Sequence, residues 1–268
     1  MEELKERLQN SWFKRLILVG ECLLALAGAF AQSNTLQGTI GFDHGYLKDL
    51  NFSPLHYQEQ GKTYMLGYHW QDGSTLNQFT FQTDFGTGQL HTDASEHFTT
   101  DYIRGNFSVG YLRRFNLYDV KITDWAIGAR YHFYLNYLDW NQQDAFSFFA
   151  NHSLDFSLAY SHQLQERHEF SFQLHVPLWS LIVRPPYNGT DPELEYNNEN
   201  DPIRLITDGV GGSFDRLLAF QINASYQYQI SRRWDLLARY QARYQNLKGQ
   251  NQLIHLQHQF STGIQLKF

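Results

Sequence analysis

Four side chains are of the types from which a hydrolytic site is built: His132, Ser153, Asp155 and His175. A histidine takes the proton of a serine hydroxyl while an acid orients its ring, so a Ser–His–Asp set serves acyl transfer. Two histidines and one aspartate equally suit a divalent metal. Spacing limits both ideas. His152 and Ser153 are adjacent in the chain, and on a strand adjacent side chains point to opposite faces.

Two further groups carry charge. Asp84, Arg104, Arg130, Glu169, Arg239 and Arg243 recur with His132, Asp155 and His175 on what alternation makes one common face. In an enclosed space such charges either pair into a structural network or line a selective conduit, because a buried charge needs a partner. The second group follows Pro185-Pro186 and Gly189, where Asp191, Glu193, Glu195, Glu199 and Asp201 stand among asparagines. Oxygen ligands of this kind can hold calcium, but the EF-hand pattern is absent. A partner-binding loop and a plain solvated loop use the same composition.

The elements that must position these groups are strands. From Ile254 to Phe268 the chain alternates, with Ile254, Leu256, Phe260, Thr262, Ile264, Leu266 and Phe268 on one side. His255, Gln257, Gln259, Ser261, Gly263, Gln265 and Lys267 take the other, so one face is apolar and one is wet. Ile264, Leu266 and the terminal Phe268 resemble the C-terminal targeting signal of bacterial outer-membrane β-barrels. Leu218 to Ile230 alternates in the same way, and Trp125 to Tyr137 places two rings at opposite ends of one outer face.

Ten alternating runs are expected: 36–46, 62–71, 75–86, 99–113, 123–137, 146–161, 167–180, 214–230, 234–247 and 254–268. Soluble strands cluster near 5–6 residues, whereas a tilted membrane strand needs about 9–11. An all-β antiparallel transmembrane barrel of about ten strands follows, within a range of 8–12; 52–59 could form an extra strand, which keeps 12 open. The outer loops are then 47–61, 87–98, 138–145, 181–213 and 248–253. The inner turns are 72–74, 114–122, 162–166 and 231–233. Long outer loops and short inner turns match this class of barrel.

Composition agrees. Aromatic residues make up 16% of the 268, and mean hydropathy is −0.49, as expected when lumen positions dilute the lipid face. Lys14 and Arg15 precede an apolar run from Leu16 to Phe30, and Ala29-Phe30-Ala31 fits a cleavage site. Residues 1–31 read as a signal peptide and 32–268 as the barrel domain. Glu21 interrupts the run, which falls short of the roughly 20 residues of a spanning helix. The lone Cys22 follows Glu21 rather than a lipobox, so no lipid anchor, disulfide or cysteine-held metal is expected, and no cofactor. Removing residues 1–31 takes four basic and four acidic residues and leaves the net charge at −6, which gives nucleic acid no purchase.

Phe52-Ser53-Pro54-Leu55 and Leu178-Trp179-Ser180-Leu181-Ile182-Val183-Arg184-Pro185 resemble phrases in small outer-membrane proteins of Bacteroidota that carry no assigned activity. The resemblance implies the fold and a Gram-negative outer membrane, and it transfers no catalytic residue. Expected partners are outer-membrane lipid, the barrel-assembly machinery during insertion, and a surface or periplasmic protein. The functional expectation is a non-enzymatic barrel, either a narrow porin-like solute pathway or a scaffold. The alternative is a lipid or peptide hydrolase using Ser153, His132, Asp155 and His175, although motifs of known barrel hydrolases are absent. N-terminal sequencing of protein from the outer-membrane fraction should begin at Gln32; a chain still starting at Met1 would overturn the signal-peptide assignment.

Overall fold

The computed structural model describes residues 33–51, 53–71, 76–94, 100–115, 123–140, 145–184, 202–249 and 252–268. Seven strands come first: β1 (Ser33–Asp49), β2 (Ser53–Gln71), β3 (Asn77–His91), β4 (Thr100–Phe115), β5 (Thr123–Trp140), β6 (Ala145–Gln165) and β7 (His168–Val183). A short helix α1 (Pro202–Thr207) and a three-residue strand β8 (Val210–Gly212) follow. Then come β9 (Leu217–Gln229), β10 (Trp234–Leu247) and β11 (Leu253–Lys267). The ten long strands pair antiparallel with their neighbours, β7 with β9 and β1 with β11, so the sheet closes on itself. Strand β8 only extends the outer end of β7.

Alternation decides the two faces. On β11 the side chains of His255, Gln257, Gln259, Ser261 and Gln265 are buried inward, while Phe260 and Ile264 are exposed outward. On β1 Thr39 and Asp43 face in, and Ile40 and Phe42 are 64% and 60% exposed. Those large apolar side chains form the lipid wall, and aromatic ladders cross it. Phe260 lies 5.6 Å from Phe42 and 4.8 Å from Tyr240, and Phe79 lies 5.1 Å from both Trp70 and Tyr111.

Four of the outward-facing histidines are each met by a tyrosine hydroxyl at Nδ1. The pairs are Tyr46–His56 at 2.7 Å, Tyr131–His152 at 2.8 Å, His168–Tyr226 at 2.5 Å and Tyr240–His258 at 2.7 Å. Each joins diagonal positions on adjacent strands, within reach of long side chains. In a lipid surround a polar group has no water to bond, so such pairing suits His258, next to Phe260 and Phe42 on the apolar wall, whereas His56 lies where the outer face turns polar.

Both described chain ends meet at one rim, where Asn34 and Phe268 exchange backbone hydrogen bonds of 3.0 Å. The connection from β7 to β9 is the longest and lies at the opposite rim, the outer one in this class. The first hairpin departs from expectation. Residues 47–61 are not a loop, because β1 runs to Asp49 and β2 begins at Ser53. Segment 52–59 adds no further strand; its described part lengthens β2 to 19 residues. The reason is physical. Tyr57 and Glu59 still point inward, but His56, Gln58 and Gln60 on the outer face are polar, as suits strand ends beyond the hydrocarbon, so the apolar half of the alternation fades.

The outward Tyr–His pairs yield one expectation. Tyr240→Phe should lower unfolding stability in detergent micelles by about 1–3 kcal/mol, because it strands the His258 Nδ1 acceptor. Adding His258→Phe should restore part of that loss; denaturant titration followed by tryptophan fluorescence checks both.

Candidate functional site

The lumen is stratified. Its outer part holds an apolar cluster, Leu47, Tyr57, Leu90, Leu138, Phe149, Ile182, Leu217 and Leu253, with Leu90 at 0% exposure. These eight inward-facing residues come from eight of the ten long strands, so their side chains meet near the axis. Buried Asn136 and Asn151 share two of these strands, buried Gln245 lies on β10, and Asp49 pairs with Arg184. Ten strands enclose a space narrow enough for side chains to fill.

Beneath this cluster lies an ionic layer. Arg104 pairs with Asp43 and, at 2.6 Å, with Glu59. His255 Nε2 meets the other Glu59 oxygen at 2.8 Å, and its Nδ1 lies 3.1 Å from the Tyr134 hydroxyl. Tyr102 Oη donates to both Asp43 oxygens at 3.0 Å. The Arg104 guanidinium lies 4.9 Å from the Tyr102 ring and that of Arg243 lies 4.5 Å from the Tyr134 ring, within cation–π range. A second group hangs on Asp155, which accepts from Arg130 Nε at 3.0 Å and Nη2 at 2.6 Å and from Ser153 Oγ at 2.6 Å. Gln221 Oε1 links the groups, accepting from Arg130 at 3.2 Å and Arg243 at 3.1 Å.

Each lumen residue expected from the sequence faces inward. Arg104, Arg130, His132, Asp155, His175, Asp84 and Arg243 are buried, and Glu169 and Arg239 line the inner part of the lumen. The four residues of the hydrolase alternative are not brought into one relay. Ser153 and His132 are register partners, but Ser153 Oγ donates to Asp155 and, at 3.5 Å, to the His132 backbone carbonyl rather than to an imidazole nitrogen. His132 Nε2 donates to Asn106 at 3.0 Å, and His175 Nδ1 shares a 2.8 Å bond with Ser157. Among the described residues no three acidic, histidine or cysteine side chains cluster as a metal site would need. The acidic run Asp191, Glu193, Glu195, Glu199 and Asp201 lies outside the described residues.

Sequence reasoning missed the pair at the centre of the ionic layer, Asp43 and Glu59. Glu59 fell in the span read as a loop, and its inward parity with Tyr57 was the signal available. Tyr102 and Tyr134 were missed for another reason. Tyrosine on such strands reads as wall, yet these two share parity with Arg104 and with His132.

Below the ionic layer a cavity of about 530 Å³ extends to the rim where the chain ends meet. Glutamine and asparagine side chains dominate its lining, with Arg239, His69, Glu169, Arg114 and Lys267 among them.

A closed antiparallel ten-strand barrel with an apolar outer wall and a polar, ion-paired interior is a bacterial outer-membrane β-barrel, and this chain is one. No family model matches it, and no curated protein does. Among solved structures, the outer-membrane protease OmpT of Escherichia coli matches at a TM-score of 0.54 with 8% identity, over 88% of this chain and 97% of that one. The translocator domain of the autotransporter NalP from Neisseria meningitidis has a TM-score of 0.41 and 11% identity, covering 97% and 98%. Neisserial surface protein A has 0.37 and 12%, covering 88% and 97%. The likeness to OmpT extends to the fold alone.

Close approach of backbone makes the ionic layer possible. Gly61 and Gly88 are register partners on β2 and β3, and the Tyr102 hydroxyl sits against both. A Cβ at Gly61 would overlap that hydroxyl and lie 2.8 Å from Asp43 Oδ1. Gly61→Ala should therefore push the phenol off Asp43 and cost about 1–3 kcal/mol of stability. Denaturant unfolding in micelles tests this, and an unchanged midpoint would count against the niche.

Proposed function

We propose that this protein is a closed, non-enzymatic scaffold of the outer membrane, without a continuous solute pathway. It carries its outer loops to the surface and a polar vestibule to the periplasm. The observation that supports this most is the apolar cluster around Leu90, which fills the outer lumen above ion-paired side chains. A conduit needs a hydrated path, and neither a packed apolar cluster nor the buried ion pairs of Arg104 and Arg130 beneath it offer one. Both layers belong to the described residues.

The same geometry weighs against the hydrolase reading, since neither the His132 nor the His175 imidazole addresses Ser153. A scaffold of this kind would engage a surface or periplasmic protein. The resemblance to small outer-membrane proteins of Bacteroidota without assigned activity fits a role of this sort.

The test is single-channel conductance of the refolded, signal-free protein in a planar bilayer at several salt concentrations. Folded, inserted protein should give no steady conductance. A steady wild-type conductance that changes in Arg130→Ala or Arg239→Ala would overturn the reading in favour of a narrow pathway.

A further inference from the structure

The inner vestibule has features that the scaffold reading leaves unused. Two of its charged lining residues, Arg239 and Glu169, make no ion pair among the described residues. The direct contacts of Arg239 are neutral acceptors, Gln82 Oε1 at 3.1 Å, Gln241 Oε1 at 3.3 Å and the Met65 thioether. The carboxylate of Asp84 stands one amide away, accepting from Gln82 Nε2 at 3.0 Å. The other lining charges are occupied or exposed. Arg114 stands 3.6 Å from Asp124, Lys267 pairs with Asp235 at 2.7 Å, and Arg232 is exposed at the mouth. A recessed charge that lacks a direct ion pair gains from a ligand that supplies one.

Register locates the two charges. Arg239 on β10 pairs with Ser225 on β9, which pairs with Ser171 on β7, and Glu169 lies two residues from Ser171 toward the inner rim. The offset is thus two strands across and two residues along. That places the Cα atoms roughly 12 Å apart, with both side chains directed into one cavity. Between and around them the lining offers amide groups such as Gln78, Gln173 and Gln227. Amides donate and accept, so they suit a ligand that itself carries peptide groups.

We propose that the vestibule binds a small zwitterion of the size of a short peptide, entering from the periplasm. Its carboxylate meets the Arg239 guanidinium, its ammonium meets the Glu169 carboxylate, and its backbone meets the amide lining. An extended tripeptide reaches roughly 10 Å between its termini, close to the roughly 12 Å between the two Cα positions. The cavity of about 530 Å³ lies within the size range of small-ligand pockets. The inference is independent of whether the outer lumen conducts: steady conductance would overturn the scaffold reading and leave peptide binding to its own test.

The experiment is calorimetric titration of refolded protein in neutral detergent with tri-alanine, its N-acetyl form and its C-terminal amide. Tri-alanine should bind saturably, and each blocked form at least tenfold more weakly. Arg239→Gln should abolish the difference between free and amidated peptide while keeping the difference for the acetylated one. Glu169→Gln should do the reverse. Both variants are accepted only if they retain the heat-modifiable gel mobility of the folded barrel, and Arg243→Gln, outside the vestibule lining, should bind like wild type. Absence of saturable tri-alanine binding by folded wild type at millimolar concentration, or equal binding of all three peptides, would overturn the proposal.

Discussion

The seam between β1 and β11 is the constraint on which the rest of this structure depends. In hydrocarbon every backbone amide must find a partner within the protein, so the sheet has to close. The seam closes over a continuous register from Thr35–Lys267 to Asp49–Leu253, with Phe42 opposite Phe260 on the lipid side and Asp43 opposite Gln259 inside. Because side chains alternate with a period of two, a slip of one residue would turn Asp43 to lipid and Phe42 inward. Neighbouring strands inherit this register, and so do the positions of Arg104, Glu59 and His255.

Polar groups are present on both faces, and each face satisfies them differently. Inside, charge is matched with charge, through Arg104 with Asp43 and Glu59 and through Arg130 with Asp155. Outside, where a charge has no counterpart, tyrosine hydroxyls meet imidazole nitrogens across adjacent strands. Tyrosine therefore has two jobs here. On the wall it pairs with histidine. In the lumen Tyr102 and Tyr134 lie under guanidinium groups and close hydrogen bonds to Asp43 and His255.

The layering of the lumen makes the two ends of the barrel unequal. At the outer end the interior carries a buried apolar cluster with a few polar side chains beside it. At the inner end the amide-lined space remains open, and Arg239 and Glu169 make no direct ion pair there. A barrel built only as a membrane anchor would have no use for that asymmetry. Recognition at the periplasmic side and display at the surface are compatible with one scaffold, because the ionic layer separates them.

Sequence alone determined the barrel, the outer-membrane class and the inward set from Asp84 to Arg243, because each depends on parity along a strand and parity is local. The C-terminal strand shows this best: its apolar and wet faces in the structure are those read from residues 254–268. Parity lost its voice where strands leave the hydrocarbon, which is why 47–61 read as a loop and Glu59 went unnoticed. Partnership was never legible. Whether Ser153 would meet a histidine or Asp155, and whether Arg239 would find a carboxylate, depends on stagger between strands that are distant in sequence. Only closure of the barrel set that stagger, and with it came the filled outer lumen, the niche at Gly61 and Gly88, and the vestibule below.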